Sequence, residues 1–249
     1  MHAVELEDVH VHVGGQHIIR GVTLNVPCNS VYVLMGPSGS GKTTLLRVIN
    51  RLIDMVDGAR VSGHVRVLGI DALKADPYAL RRRVGMVSQI PNPFPHMTIY
   101  DNVAVAARIN GVARGKREEG EVVEWALKKA MIWDEVKDRL HEHPHVLSGG
   151  QKQRLCLARA LAMKAKVLLF DEPTANIDPV NARKLEGAIS SLKDDATVIM
   201  VTHSPHQAAR VADRVALIYE GRVLEEGAAK EVFLNPKDEF TVKFMRGEI

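Results

Sequence analysis

The sequence has little that would cross-link the chain or anchor it in a membrane. Cysteine occurs only as Cys28 and Cys156, which lie far apart and form no C-x-x-C pair. This usage argues against a disulfide framework or a zinc site and fits a reducing cytosol. No apolar run approaches the roughly 18 residues that a membrane-spanning helix needs. The amino-terminal residues also lack a basic stretch followed by an apolar one, so we expect no signal peptide.

Strong charge of one sign is also missing. The formal net charge is +3 over 249 residues, and the densest basic run is Arg81-Arg82-Arg83. So mild a charge gives no indication of a nucleic-acid partner. Aromatic residues make up 4% of the chain, but hydrophobic residues make up 46%, which is enough for a sizeable core. The length fits one large α/β domain or a core domain with an inserted lobe.

A glycine-rich stretch is the strongest motif in the chain. It follows the apolar run 31–35 and precedes a helical pattern that we expect to extend to about residue 53. A G-x-x-x-x-G-K-[ST] loop between a strand and a helix is typical of a phosphate site, because its backbone amides converge on phosphate oxygens. In this context Lys42 can reach the β- and γ-phosphates, and the Thr43 hydroxyl can bind Mg²⁺. The candidate phosphate-binding residues are Gly36, Pro37, Ser38, Gly39, Ser40, Gly41, Lys42, Thr43 and Thr44.

The rest of the chain alternates strand and helix patterns. Before the glycine loop, period-2 alternation on either side of Gly14-Gly15 predicts an antiparallel hairpin. Later strands alternate with helices, which predicts parallel βαβ units. Helical patterns at 99–109, 122–132 and 153–163 suggest a helical subdomain over about 91–160. We therefore predict a single α/β domain over 1–249, with its core formed by 1–90 and 161–249.

Polar residues follow three of the predicted buried strands. Asp171 and Glu172 end the apolar run 167–170, His203 follows the run 196–201, and Gln89 follows 84–88. Parallel sheets carry ligand-binding groups at the carboxyl ends of their strands, so we expect these residues to converge near the glycine loop. Asp171 is then placed to reach a Mg²⁺ held by Thr43, and Glu172 to polarise an attacking water.

A second glycine-containing segment, Leu147-Ser148-Gly149-Gly150-Gln151, precedes a strong helical pattern. Ser148 can cap that helix, whose amino terminus forms a second anion-binding position. With this segment the chain resembles the ATP-binding cassette family over essentially its whole length. The resemblance covers the phosphate loop, the Q-loop residue Gln89, the signature segment, the Walker B strand with Asp171 and Glu172, and the switch residue His203, all in family order.

The resemblance implies an α/β P-loop NTPase with an amino-terminal antiparallel β subdomain and an inserted helical subdomain. It also implies a head-to-tail homodimer with ATP and Mg²⁺ at the interface, each nucleotide lying between the 36–44 loop of one copy and Ser148, Gly149, Gly150 and Gln151 of the other. By the same resemblance Glu172 is the general base, and His203 contacts the γ-phosphate and the attacking water. Mg²⁺ is held by Thr43, Gln89 and Asp171, and Asp178 couples the two sites.

Two positions depart from the family pattern. An aromatic residue usually stacks on adenine just before the first hairpin glycine, but Val13 precedes Gly14 here, with His12 before it. Val13 is therefore the expected adenine contact without the aromatic ring, unless His12 supplies one. The D-loop reads Ala175-Asn176-Ile177-Asp178 and retains its aspartate.

Within the family, several stretches are similar to the ATP-binding subunits of phosphate importers, among them 50–52, 91–95 and 99–103. The stretch 94–98 instead fits importers of amino acids and other solutes. The resemblance implies a peripheral protein on the cytoplasmic face of the membrane, with two integral-membrane permease subunits, an extracytoplasmic solute-binding protein and no nucleic acid. Transport of tungstate, molybdate, another anion or amino acids stays open, as does a soluble cassette ATPase that acts on nucleic acid or ribosomes.

Overall fold

The structure is a computed structural model that describes residues 1–175 and 177–249. Asn176, part of the predicted D-loop, lies outside the described residues. The chain divides into two units, Met1–Arg81 with Leu192–Ile249, and Arg82–Ser191. The helical insertion predicted at about 91–160 lies within the second unit, and its bounds stay a prediction. Across 1–175 and 177–249, no helix combines the length and the apolar character that a membrane span requires.

The strands and helices alternate along most of the chain. The strands are β1 (His2–Val13), β2 (Gln16–Pro27), β3 (Val31–Met35), β4 (Arg60–Val67), β5 (Ile70–Asp71), β6 (Val84–Val87), β7 (Val167–Asp171), β8 (Thr197–Thr202), β9 (Arg214–Tyr219) and β10 (Arg222–Ala228). The helices are α1 (Lys42–Ile49), α2 (Pro77–Arg81), α3 (Ile99–Ile109), α4 (Lys116–Lys129), α5 (Trp133–Val136), α6 (Gly149–Ala162), α7 (Pro179–Ser191), α8 (Pro205–Val211), α9 (Ala229–Leu234) and α10 (Glu239–Met245). The α/β class predicted from the alternation is confirmed.

The first unit contains the predicted antiparallel sheet, with strand order β2-β1-β4-β5. The β1–β2 hairpin turns at Gly14-Gly15, as its alternation predicted, and pairs Val13 with Gln16. Along β2, Val22, Leu24 and Val26 are buried and the residues between them are exposed. One face of this strand therefore packs on the core, which fixes its register.

The same unit also contains parallel strands. β3 lies between β8 and β9 and runs parallel to both, while β10 is antiparallel to β9. β3 and β8 are buried along their whole length, which explains why both read as continuous apolar runs rather than alternating ones. Met35 is paired with Thr202, so the segments that follow these two strands begin at the same edge.

The second unit combines two parallel strands with packed helices. β6 pairs with β7, with Val87 opposite Phe170. Helices α3, α4 and α6 pack against one another, and α6 also packs on β6. Thr98 caps α3 by accepting a hydrogen bond from the Asp101 amide at 3.0 Å, which fixes the start of this helix. Its predicted start and end, 99 and 109, are both confirmed.

Several predicted helix boundaries were wrong, among them the start of α6, which lies at Gly149 rather than near residue 153. α1 ends at Ile49 rather than near residue 53, because Arg51 adopts a left-handed φ of 62° that no α-helix can continue through. α4 begins at Lys116 rather than near residue 122. Its first turns are charged and lack apolar periodicity, but an Arg117–Glu121 pair at 3.1 Å supports them.

Candidate functional site

The glycine loop lies between β3 and α1, as predicted, and its backbone requires glycine at two positions. Gly36 has φ 145° and Gly41 has φ 100°. A Cβ on Gly36 would lie 2.1 Å from the Ile218 carbonyl oxygen, and one on Gly41 would lie 2.5 Å from Ile19 Cδ1. Gly39 has φ 79°, but a Cβ there would meet nothing within 4 Å. The loop is therefore held closely against β2 and β9 at its two ends and is open at its middle.

The Lys42 ammonium group lies inside this loop. Its side chain is buried, and Nζ donates hydrogen bonds to the carbonyl oxygens of Gly36 and Pro37 at 2.8 and 2.7 Å. It also lies 3.3 Å from Ser40 Oγ. Lys42 opens α1, whose first amides have no intrahelical acceptor. A buried cation and the positive end of a helix thus meet at one loop, and these residues fit a phosphate group.

Val13 ends β1 beside a stack of three histidine rings. The His12 and His17 centroids are 4.1 Å apart with their planes at 13°, and His10 and His17 are 5.2 Å apart. Burial, and then the neighbouring histidines, lower the pKa of His17. A cavity of about 590 Å³ is lined by His17 and by Gly39 of the glycine loop, among others. His12 was the expected aromatic substitute, whereas His17, which the hairpin register places opposite His12, was not expected at this position.

This histidine stack does not form a metal centre. Among residues 1–175 and 177–249, no group of three or more histidine, cysteine, aspartate or glutamate side chains is arranged to hold a metal ion. The rings instead continue a hydrogen-bonded row in which Asp8 Oδ1 lies 3.0 Å from His10 Nε2 and His10 Nδ1 lies 3.1 Å from His17 Nε2.

His203 directly follows β8 and is exposed. The pairing of Met35 with Thr202 places it at the sheet edge where the glycine loop begins. The adjacent Ser204 caps α8 by accepting from the Gln207 amide at 3.3 Å. The register of β3 and β8 thus brings His203 to the edge at which the glycine loop begins, and its contact with a nucleotide stays a prediction.

Asp171 and Glu172 lie at the end of β7 in the second unit. Asp171 is buried, and Glu172 has a left-handed φ of 45°. Such a backbone angle is uncommon for a residue with a side chain. Gln89 follows the parallel neighbour β6 and is exposed, so it and Asp171 lie at the same edge of this strand pair. Convergence of these residues with the first unit's loop stays a prediction.

The signature segment Ser148–Gln151 forms the amino terminus of α6. Ser148 Oγ accepts from the Gln151 amide at 3.3 Å, and the Ser148 amide donates to Gln151 Oε1 at 2.9 Å. This reciprocal capping box fixes the first turn. Ser148 and Gly149 are exposed, whereas Gly150 is buried. The exposed residues Ser148 and Gly149 therefore lie at the amino terminus of α6, which is the positive end of the helix dipole.

Asp178 precedes α7 and holds its first turn. Its Oδ1 accepts from the amides of Val180 and Asn181, both at 3.0 Å, and its Oδ2 accepts from Asn181 Nδ2 at 2.6 Å. These hydrogen bonds, led by the one from the Asn181 side chain, lower the pKa of Asp178. The carboxylate is therefore exposed and ionised at neutral pH, and its role in coupling two sites stays a prediction.

Three side chains near these segments were missed by the sequence analysis. Arg154 is buried in α6, donates to Glu135 of α5 and also donates to Asn181 of α7. Glu135 precedes Arg154 by 19 residues and Asn181 follows it by 27, so no local spacing signalled the contact. The available clue was that Arg154 directly precedes the apolar run 155–158 of the helix, because an arginine that is buried is paired.

Comparison with known proteins identifies the class that this fold and loop define. Residues 19–175 match the ABC transporter family. The chain is 55% identical over 248 residues to a protein of Aeropyrum pernix named phosphate import ATP-binding protein PstB, with 99% of this chain and 98% of that protein covered. It is also 55% identical over 249 residues to a protein of the same name from Thermococcus kodakarensis, with the same coverage.

Solved structures of ATP-binding cassettes are similar to this fold. The dimeric, post-hydrolysis ATP-binding cassette MJ0796 bound to ADP and Pi is 29% identical, with a TM-score of 0.77 over 91% of this chain and 98% of that one. A bacterial Atm1-family ABC exporter with ATP bound is 25% identical, with a TM-score of 0.82 over 98% of this chain and 41% of that one. The chain therefore belongs to the ABC transporter family as one of its ATP-binding domains. The predicted resemblance and the P-loop fold are confirmed, whereas the roles of single residues stay predictions.

Proposed function

We propose that this chain is the ATP-hydrolysing subunit of an ABC importer for inorganic phosphate. The observation that carries the proposal is the 55% identity over 99% of the chain to proteins named as phosphate import ATP-binding proteins. The buried Lys42 within the glycine loop supports it independently, because it provides the positive charge that a nucleotide triphosphate needs.

In the proposed site, the amides of the 36–44 loop and the Lys42 ammonium hold the phosphates. Thr43, Asp171 and Gln89 offer the hydroxyl, carboxylate and amide oxygens that suit Mg²⁺, which neutralises phosphate charge when bound. The assignment of Mg²⁺ to these three residues is supported by the oxygen atoms that their side chains carry. Val13 marks the adenine end of the site, where no aromatic ring precedes the first hairpin glycine.

Hydrolysis in this scheme depends on two side chains at strand ends. Glu172 accepts a proton from the attacking water, and its left-handed backbone fixes the direction in which its carboxylate leaves the strand. His203 contacts the γ-phosphate and that water. The register that aligns β3 with β8 supports this role, because both segments begin at one edge.

The proposed working unit is a homodimer. The exposed backbone of Ser148 and Gly149 suits a γ-phosphate that is held on the 36–44 loop of the second copy. The related cassette MJ0796 is dimeric in its post-hydrolysis structure, which supports this arrangement. ATP binding then closes the dimer and hydrolysis reopens it, so the binding and hydrolysis of ATP drive a conformational cycle.

The permease partner would dock on a groove in the second unit. A cavity of about 210 Å³ is lined mostly by apolar residues, among them Met86, Phe94 and Ile109. Ile109 of this lining is 65% exposed. The Arg159 guanidinium lies 4.5 Å from the centre of the Phe94 ring and marks one polar border. An apolar groove of this kind fits a short cytoplasmic helix of one permease subunit, so the two copies of the dimer would hold two permease subunits at the inner face of the membrane.

Reconstitution tests this proposal. The chain, its two permease subunits and its solute-binding protein are placed in proteoliposomes, and ATP hydrolysis is measured with phosphate, molybdate, tungstate or an amino acid outside. We expect stimulation by phosphate alone. Stimulation by another solute but not by phosphate would reassign the substrate, and salt-sensitive co-purification with nucleic acid would favour a soluble ATPase instead.

A further inference from the structure

The Asn181 side chain joins two segments that the proposed function uses separately. Its Oδ1 accepts a hydrogen bond from Arg154 Nη2 at 2.9 Å, and its Nδ2 donates to Asp178 Oδ2 at 2.6 Å. A guanidinium can only donate and a carboxylate can only accept, so the two neighbours dictate which way the amide points. The position thus uses both ends of the asparagine amide, its Oδ1 as an acceptor and its Nδ2 as a donor.

Asn181 also packs directly against the signature segment. A Cβ on Gly150 would lie 2.9 Å from Asn181 Cβ and 3.0 Å from its Cγ. Gly150 has no left-handed φ, so backbone freedom does not explain the glycine. The absence of a side chain at Gly150 is what allows α6 and the start of α7 to approach this closely.

Arg154 continues the connection towards α5. Its guanidinium donates to both carboxylate oxygens of Glu135, at 2.8 and 3.0 Å, and to the Met131 carbonyl oxygen at 2.5 Å. Gln151 Nε2 of the signature segment donates to the same Glu135 at 2.9 Å. The hydrogen bond that Glu135 accepts from Arg154 is the main cause that lowers the pKa of Glu135 to about 2. This carboxylate is therefore ionised over the pH range from 5.5 to 8 that the test below uses. The side chains form one unbroken path: Gln151, Glu135, Arg154, Asn181 and Asp178.

We propose that Asn181 and Arg154 are positioning residues that hold the signature segment Ser148–Gln151 and the D-loop carboxylate Asp178 as one rigid element. This inference rests on the proposed roles of those two segments. Engagement of a nucleotide by Ser148 or Gly149 then moves Asp178 with it. Neither Asn181 nor Arg154 touches the substrate in this scheme.

The test compares two changes at Asn181 that differ in chemistry but little in size. Asn181→Leu removes both hydrogen bonds. Asn181→Asp keeps the acceptor for Arg154 but places a second carboxylate against Asp178. The charged groups around the new carboxylate are Asp178, which precedes α7, Lys184 on α7, Arg154 on α6 and Glu135 on α5. Because two adjacent carboxylates share a proton as the pH falls, acid should restore the hydrogen bond to Asp178 in this variant alone.

We expect both variants to lower kcat for ATP hydrolysis by about tenfold to a hundredfold at pH 8, because a small displacement of the groups that position the nucleotide slows the reaction by this order. ATP affinity of the isolated subunit should stay within about twofold, because the 36–44 loop is untouched. As the pH falls to 5.5, the ratio of variant to wild-type kcat should rise for Asn181→Asp and stay flat for Asn181→Leu. Lys184→Ala is the matched control. It removes a charge 3.1 Å from Glu135, outside the path, and should leave kcat unchanged.

Wild-type kcat in both Asn181 variants, with their melting temperatures matched to the wild type, would overturn the proposal. So would an Asn181→Asp ratio that does not change with pH. If neither variant folds, Arg154→Lys decides, because lysine keeps the charge but cannot bridge Glu135 and Asn181; unchanged kcat there also overturns it. A wild-type chain that hydrolyses no ATP would instead refute the proposed function.

Discussion

Replacing Glu135 by glutamine removes the negative charge that faces the buried Arg154 while keeping the size of the side chain. Arg154 is 1% exposed, and both carboxylate oxygens of Glu135 accept from it. The variant therefore leaves a buried cation without its counter-charge, one of the few single changes that destabilise strongly. We expect a loss of stability that depends on pH.

The size of this loss follows from the Glu135 pKa. Hydrogen bonds, first from Arg154 and then from Gln151 and Lys184, lower this pKa from the ordinary value of 4.5 to about 2, which corresponds to roughly 3 kcal/mol at neutral pH. Because Glu135 is 29% exposed, solvent screening reduces the expected loss to about 2 kcal/mol. The folded-state pKa lies below the unfolded one, so this stabilisation is fully present above about pH 5 and is lost as the pH falls towards 2.

Urea unfolding followed by tryptophan fluorescence measures the loss, because Trp133 lies in the same short helix as Glu135. Glu135→Gln should lower the free energy of unfolding by about 2 kcal/mol at pH 7 and by clearly less at pH 3. Lys184→Ala removes the exposed partner of the same carboxylate, and should cost under about 0.5 kcal/mol. A Glu135→Gln protein as stable as the wild type at pH 7, or equally destabilised at both pH values, would refute the reasoning.

Further predictions concern the glycine loop and the adenine end. Gly36→Ala should destabilise by more than about 3 kcal/mol, because its Cβ would lie 2.1 Å from the Ile218 carbonyl oxygen; Gly39→Ala, with open space, should cost only about 1 to 2 kcal/mol. Urea unfolding compares the two, and equal losses would contradict the loop geometry. Val13→Tyr should tighten ATP binding about fivefold by stacking on adenine, measured by calorimetry. Unchanged or weaker affinity would place adenine elsewhere, with His17 the next candidate.

Local signals allowed much of the fold to be predicted from the sequence. The glycine loop was recognisable because its strand, turn and helix are contiguous, and α3 because Thr98 caps it and its apolar residues recur at helical spacing. The end of α1 was not predictable in this way. Arg51 has a left-handed φ, and its guanidinium donates to the carbonyl oxygens of Ala72 and Leu73, contacts that are distant in sequence and leave no local signal.

In the candidate site, too, contacts between residues close in sequence could be predicted and contacts between distant residues could not. Ser148 and Gln151 are three residues apart, and their capping box could be anticipated from that spacing. The positions of Glu135 and Asn181 around Arg154 could not, because the contacts arise only when three helices pack. The His12–His17 stack lies between these cases, since the hairpin pairs the two residues but their ring geometry depends on irregular pairing along β1.

The most direct test of the central claim is the oligomeric state and turnover of Glu172→Gln with saturating ATP and Mg²⁺. The claim is that two copies close around ATP and that Glu172 opens them again by promoting hydrolysis. Light scattering should show the variant as a stable dimer, while single-turnover assays show bound ATP that is not hydrolysed. A monomer at saturating ATP would contradict the closed dimer, and hydrolysis at the wild-type rate would contradict the role of Glu172.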